Sequence, residues 1–240
     1  VRRKIFIAFA GAAAALAVLA FVLDRNRDGS ESVVHPDAAE LPTHEIAGEP
    51  GDPLVVFIQA DAGGLDVWDD TEGAVRDAGF RTLRFELPPP GTSDGESSDR
   101  FVVALERLLG RVEPASDRVL LVGASRGAIV AAEFAQRHPE RIDKVALIGP
   151  SGFTEGAVPA SYSVLGRTPT PVLLGWGTKD EVDPYVEHER AQQLLPQAEF
   201  FAIEDAGHLP MRRHPTVVLS RLIPFLMRGI AKGHDDPDQH

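Results

Sequence analysis

Apolar positions along this chain fall into one continuous run near the start and a regular alternation after it. Every residue from Ile5 to Leu23 is apolar or glycine, a run of 19, with Arg2, Arg3 and Lys4 before it and Asp24, Arg25 and Asn26 after it. From Pro53 onward, short apolar runs alternate with longer amphipathic stretches. Residues 54–58, 80–87, 119–122, 144–148, 172–174 and 200–203 read as strands, and residues 66–78, 101–112, 125–138, 184–195 and 215–229 as helices. Strands that are apolar throughout must be buried on both faces. The pattern therefore predicts an α/β fold, a mostly parallel sheet with helices on both faces. In such sheets ligands sit beyond the carboxyl ends of the strands, which says where to look for chemistry.

The first run demands a different environment. At 1.5 Å per residue it spans roughly 28 Å as a helix, close to the hydrocarbon thickness of a bilayer. It is apolar on every face and holds no ionisable group, so residues 1–23 are expected to be a transmembrane signal anchor. The three cations before it stay on the cytoplasmic side, which makes everything after Leu23 extracytoplasmic. The alternative is a cleaved signal peptide and a secreted protein, but that apolar core is usually about 7–15 residues long. Small residues such as Ala15 and Ala17 lie inside the run, not at its polar end, so the anchor is preferred. Residues 24–42 are polar and aperiodic and contain Pro36 and Pro42, a tether. The main domain is expected over 43–232 and a disordered tail over 233–240. Residues 24–29 match the start of a calcium-binding EF-hand loop, but the twelfth position is His35, where a bidentate Glu is required.

Charge and cysteine content narrow the function. Across 240 residues, 24 Lys and Arg face 36 Asp and Glu, a net charge of −12. So acidic a chain is not built to track a phosphate backbone, which excludes nucleic acid as the expected partner. The absence of cysteine removes disulfides, thiolate metal sites and a Cys nucleophile.

Three strand ends carry candidate chemistry. Gly123-Ala124-Ser125-Arg126-Gly127 follows the strand at 119–122 and opens a helix, the strand–turn–helix setting in which G-x-S-x-G presents a nucleophile. A serine hydroxyl needs a base to take its proton, and the base needs a carboxylate to orient it. His208 follows the strand at 200–203, and Asp180 follows the strand at 172–174, giving the chain order Ser, acid, His. Asp183 and Asp205 are the reserve acids. Ser125 as a mere helix cap would leave the flanking glycines and the later Asp and His unaccounted for. His138 and His214 border helices before prolines and read as structural.

With these residues in order, the chain from about Leu54 to Arg228 resembles a compact α/β hydrolase of bacterial type. Residues 85–94, Phe-Glu-Leu-Pro-Pro-Pro-Gly-Thr-Ser-Asp, are similar to that family's D-x-P-G-x-G-x-S-D turn. The resemblance implies a serine hydrolase with Ser125 as nucleophile, His208 as base, Asp180 as its orienting acid, and no cofactor. A dehydrogenase reading of the same glycines is set aside. Its third glycine would fall at Ile129, and Tyr162 is followed four residues on by Gly166, not by lysine.

Two departures stand against the family pattern. An oxyanion hole needs two backbone N–H groups, one from Arg126 and one from the loop after the first strong strand. That loop reads Gln59-Ala60-Asp61-Ala62-Gly63-Gly64 where the family usually has His-Gly, so Ala60 or Asp61 would donate. If the Asp61 carboxylate faced the oxyanion at about 5 Å, repulsion of about 3 kcal/mol would follow at an effective dielectric of 20. The second departure is a short connection of residues 151–171 where relatives often insert a lid, predicting an open cleft. Arg126 could meet an anionic acyl group or form a surface salt bridge. The expected function is hydrolysis of a carboxylic ester or thioester, on a small molecule or an exposed acyl group. The alternative is a binding or scaffold protein that keeps the fold without turnover.

Overall fold

The computed structural model describes residues 43–58, 64–85, 99–112, 118–154 and 158–230. The expected anchor (1–23), tether (24–42) and tail (233–240) lie outside them, as do Ala60, Asp61 and most of the turn at 85–94. Among the described residues no helix is long and apolar enough to cross a membrane.

Seven strands among the described residues form one sheet: β1 (His44–Ala47), β2 (Leu54–Ile58), β3 (Arg81–Phe85), β4 (Val119–Ser125), β5 (Ile142–Pro150), β6 (Val172–Gly177) and β7 (Glu199–Ile203), in the order β1-β3-β2-β4-β5-β6-β7. All neighbours are parallel except β1, which runs antiparallel to β3 with Ile46 opposite Leu83. The sequence pattern did not announce β1. It is a four-residue edge strand, half-buried along its length, so it carries no apolar run to read.

Among the described residues six helices cover the sheet: α1 (Asp69–Asp77), α2 (Asp99–Val112), α3 (Arg126–Arg137), α4 (Ala160–Leu165), α5 (His188–Leu194) and α6 (Pro215–Met227). Strand side chains alternate between two cores, as the pleat requires. Leu54, Val56 and Ile58 of β2 join Leu121, Leu147 and Trp176 under α2, α3 and α4. Val55 and Phe57 join Leu120, Val122 and Ile148 under α1 and α6, where Val75, Leu222 and Phe225 close the layer. At the amino end of β5, buried Lys144 donates from Nζ to the Leu226 carbonyl at 2.8 Å, fastening the last turn of α6 to the sheet.

The chain passes from β2 outward to β3 and returns on the other side of β2 as β4. That reversal opens a crevice at the carboxyl ends of β2 and β4, the place where doubly wound sheets bind ligands. Ser125 is the last residue of β4. In the short connection after β5, α4 buries Ser161, Tyr162 and Leu165, the last two in the core shared with α3.

Candidate active site

The turn from β4 into α3 sets Ser125, the candidate nucleophile. Ser125 has φ 52° and ψ −126°, a region that a non-glycine residue occupies only when its surroundings hold it there. They do so by close approach: a Cβ on Gly123 would lie 2.4 Å from the Gly127 carbonyl oxygen and 2.8 Å from the Ala128 Cα. Only glycine lets the helix fold back this tightly on the strand. Ser125 makes no side-chain cap bond to α3, which disposes of the capping role. Its hydroxyl lies 2.8 Å from His208 Nε2.

His208 stands on the loop after β7, and Asp180 on the loop after β6. Asp180 Oδ2 lies 2.8 Å from His208 Nδ1. A carboxylate can only accept, so Nδ1 carries the proton and Nε2 turns its lone pair to the Ser125 hydroxyl, which donates. The Asp180 side chain is fully buried while that of His208 is 13% exposed, so the charge is shielded and the imidazole keeps some access to solvent. The second Asp180 oxygen accepts from the backbone N–H groups of Val182 at 2.9 Å and Asp183 at 3.0 Å, which fixes the carboxylate plane. The two loops are also joined directly, the Lys179 N–H donating to the Ala206 carbonyl at 2.8 Å.

The reserve acids are engaged elsewhere. Asp183 Oδ1 accepts from the N–H groups of Phe153 at 2.8 Å and Thr154 at 3.1 Å, and from the Thr154 hydroxyl at 3.0 Å. Asp205 is exposed and pairs with Lys179 at 2.7 Å, which holds its carboxyl below the usual range. His138 bonds Glu106 across 2.7 Å between α3 and α2, and His214 caps α6 through its carbonyl. Both remain structural.

Arg126 opens α3, so its backbone N–H lies in the helix's first turn, directly after Ser125. Its side chain lies along α2. The guanidinium lies over the Phe101 ring, 4.6 Å from the centroid. Stacking on α2 holds it against that helix.

Sequence reasoning missed Ser151. In the sheet, Ser125 is opposite Pro150 on the neighbouring strand, so Ser151 is the first residue past β5 beside the nucleophile. Its hydroxyl is 3.0 Å from Ser125 Oγ and 3.3 Å from His208 Nε2. The signal was available: Gly149-Pro150-Ser151-Gly152 ends a buried strand, the same position that singled out the other three.

A family model described as the alpha/beta hydrolase fold matches residues 53–163, and the fold is that of the α/β hydrolases. Solved structures agree on the fold. An α/β-hydrolase enzyme from the metagenome of sediments of the lagoon of Mar Chica, Morocco, is 24% identical, with 77% of this chain and 94% of that one covered and a TM-score of 0.66. Carboxylesterase CesB of Bacillus subtilis is 18% identical, covering 84% and 93%, with a TM-score of 0.67. A structure from a study of carboxylesterases of the thaumarchaeon Nitrososphaera gargenis is 15% identical, covering 81% and 97%, with a TM-score of 0.66.

Proposed function

We propose that this protein is a serine hydrolase that cleaves a carboxylic ester or thioester through an acyl-enzyme on Ser125. One observation carries the reading: Ser125, His208 and Asp180 form an unbroken hydrogen-bonded line, 2.8 Å at each link, at the carboxyl ends of β4, β7 and β6. The carboxylesterases of the same fold point to ester chemistry.

Ser125 Oγ attacks the carbonyl carbon as its proton passes to His208 Nε2, and Asp180 stabilises the imidazolium. The Arg126 N–H meets the oxyanion, with Ala60 or Asp61 supplying the second donor; one such donor is worth about 10²–10³ in rate. The imidazolium protonates the leaving alcohol or thiol. Water then attacks the acyl carbon, gives its proton to Nε2, and the Ser125 oxygen leaves and regains a proton.

The test is labelling of the full chain in detergent with a fluorophosphonate, which captures only a serine activated by a working base. Wild type becomes labelled and Ser125→Ala does not. A folded wild type that resists the probe would favour the binding-protein alternative, for which the Asp61 carboxylate in the oxyanion loop is the specific reason.

The 19-residue apolar run and its three preceding cations support placement of the domain outside the cytoplasm, held by an N-terminal anchor. Protease added to intact cells is expected to degrade a C-terminally tagged chain and leave a cytoplasmic marker whole. Full protection of the tag would rule this placement out.

A further inference from the structure

The hydroxyl of Ser151 touches both reacting groups of the site, and the two half-reactions do not use it equally. His208 Nε2 has one lone pair, which accepts the Ser125 hydroxyl at 2.8 Å. The Ser151 hydroxyl, 3.0 Å from Ser125 Oγ, is then the donor in that pair. During acylation this bond draws electron density from the attacking oxygen and gives it no help. During deacylation Ser125 Oγ becomes the leaving oxygen and gathers negative charge, and the same O–H becomes a donor to a developing anion.

The water of the second step needs two acceptors. One proton points at His208 Nε2, and its lone pair must aim at the acyl carbon on Ser125 Oγ. Ser151 Oγ lies 3.3 Å from Nε2, beside both of these points, and its lone pairs accept the second proton. A water held by two acceptors keeps its attacking lone pair aligned.

We propose, resting on the serine-hydrolase reading above, that Ser151 is a further catalytic residue specific to deacylation. It donates to the departing Ser125 oxygen and accepts from the water that His208 activates. The balance is ordinary hydrolysis: the water oxygen bonds the acyl carbon, one water proton passes to Nε2, the carbon–Oγ bond breaks, and the Nε2 proton returns to Ser125. Ser151 keeps its own proton throughout.

The surroundings hold this hydroxyl in place. The Ser151 N–H donates to the Ser125 carbonyl at 3.3 Å, and the Ser151 carbonyl accepts from the Tyr162 hydroxyl at 3.0 Å. Burial, with Asp183 and Glu133 nearby, pushes the Tyr162 phenol well above its ordinary range, so it stays a donor. Asp183 grips Phe153 and Thr154, and its own N–H bonds the carboxylate of Asp180. One polar chain thus ties Ser151 to the loop that carries the acid.

The two steps can be timed separately with the full chain in detergent, in excess over p-nitrophenyl acetate. Nitrophenol release reads acylation, and decay of the acetyl adduct by intact mass reads deacylation. Ser151→Ala is expected to acylate within about threefold of wild type and to deacylate about tenfold more slowly or worse. Ser151→Thr, which keeps the hydroxyl, is expected to recover most of that loss. Equal slowing of both steps, unchanged deacylation, or no recovery with threonine would overturn the proposal. A wild type that forms no adduct, or an adduct that persists in Ser125→Ala, would overturn the nucleophile assignment itself, a result distinct from any of these.

Discussion

Asp180→Asn is expected to lower kcat/KM for an activated ester about 10⁴-fold while the protein stays folded. The asparagine oxygen can keep the place of Oδ1, accepting the N–H groups of Val182 and Asp183. Its amide nitrogen then faces His208 Nδ1, and two N–H donors cannot point at one another. Nδ1 must give up its proton, which moves to Nε2, and the base no longer has a lone pair for Ser125. About 5 kcal/mol of transition-state stabilisation is lost. Asp205→Asn is the comparison. That carboxylate is exposed, pairs with Lys179 and sits at φ 60°, a conformation asparagine tolerates, so activity should stay within about threefold. Steady-state kinetics and a thermal melt on both variants check this. Similar losses in the two would remove Asp180 from its place as the orienting acid.

Gly149→Ala is expected to disable the site from behind. Gly149 lies in β5 at φ +53°, and a Cβ there would stand 2.1 Å from the carbonyl oxygen of His208. The left-handed backbone alone costs an alanine about 1–2 kcal/mol. The overlap is with backbone, so the His208 loop itself must move, and a displacement near 1 Å costs about 100-fold in rate. Activity should fall by at least about 100-fold, and Tm by roughly 5–10 °C. Gly79→Ala separates the two effects. Its φ is +92°, yet a Cβ there meets nothing within 4 Å, so it should lose stability and keep activity. Retention of full activity by Gly149→Ala would mean that the His208 loop is not braced against β5.

How far the chain could be read before folding depends on which physical signal each residue carries. β2, β4 and the middle of β5 are apolar on both faces, so they stand out as runs, and the order of strands and helices follows from them. β1 was silent because an edge strand needs only Ile46 to pack and leaves His44 and Glu45 half-buried. Helix starts also moved by about a turn: the helices expected from 66 and 184 are preceded by 3₁₀ turns, Leu65–Trp68 and Tyr185–Glu187, that lead into α1 and α5.

The meeting of Ser125, Asp180 and His208 was legible because all three lie where one rule looks for chemistry, at the carboxyl ends of parallel strands. Nothing local distinguishes Asp180 from Asp183 or Asp205, three residues of one type on two neighbouring loops. Packing distinguishes them: the first is buried against His208, the second holds the 153–154 backbone, and the third faces solvent beside Lys179. Ser151 and Gly149 acquire meaning only because β4 and β5 are hydrogen-bonded neighbours and the His208 loop crosses behind them. Periodicity along a chain reports which faces are buried. It carries no term for which loops meet, and those meetings, between segments as far apart as residues 125, 151, 180 and 208, are what the tertiary fold alone supplies.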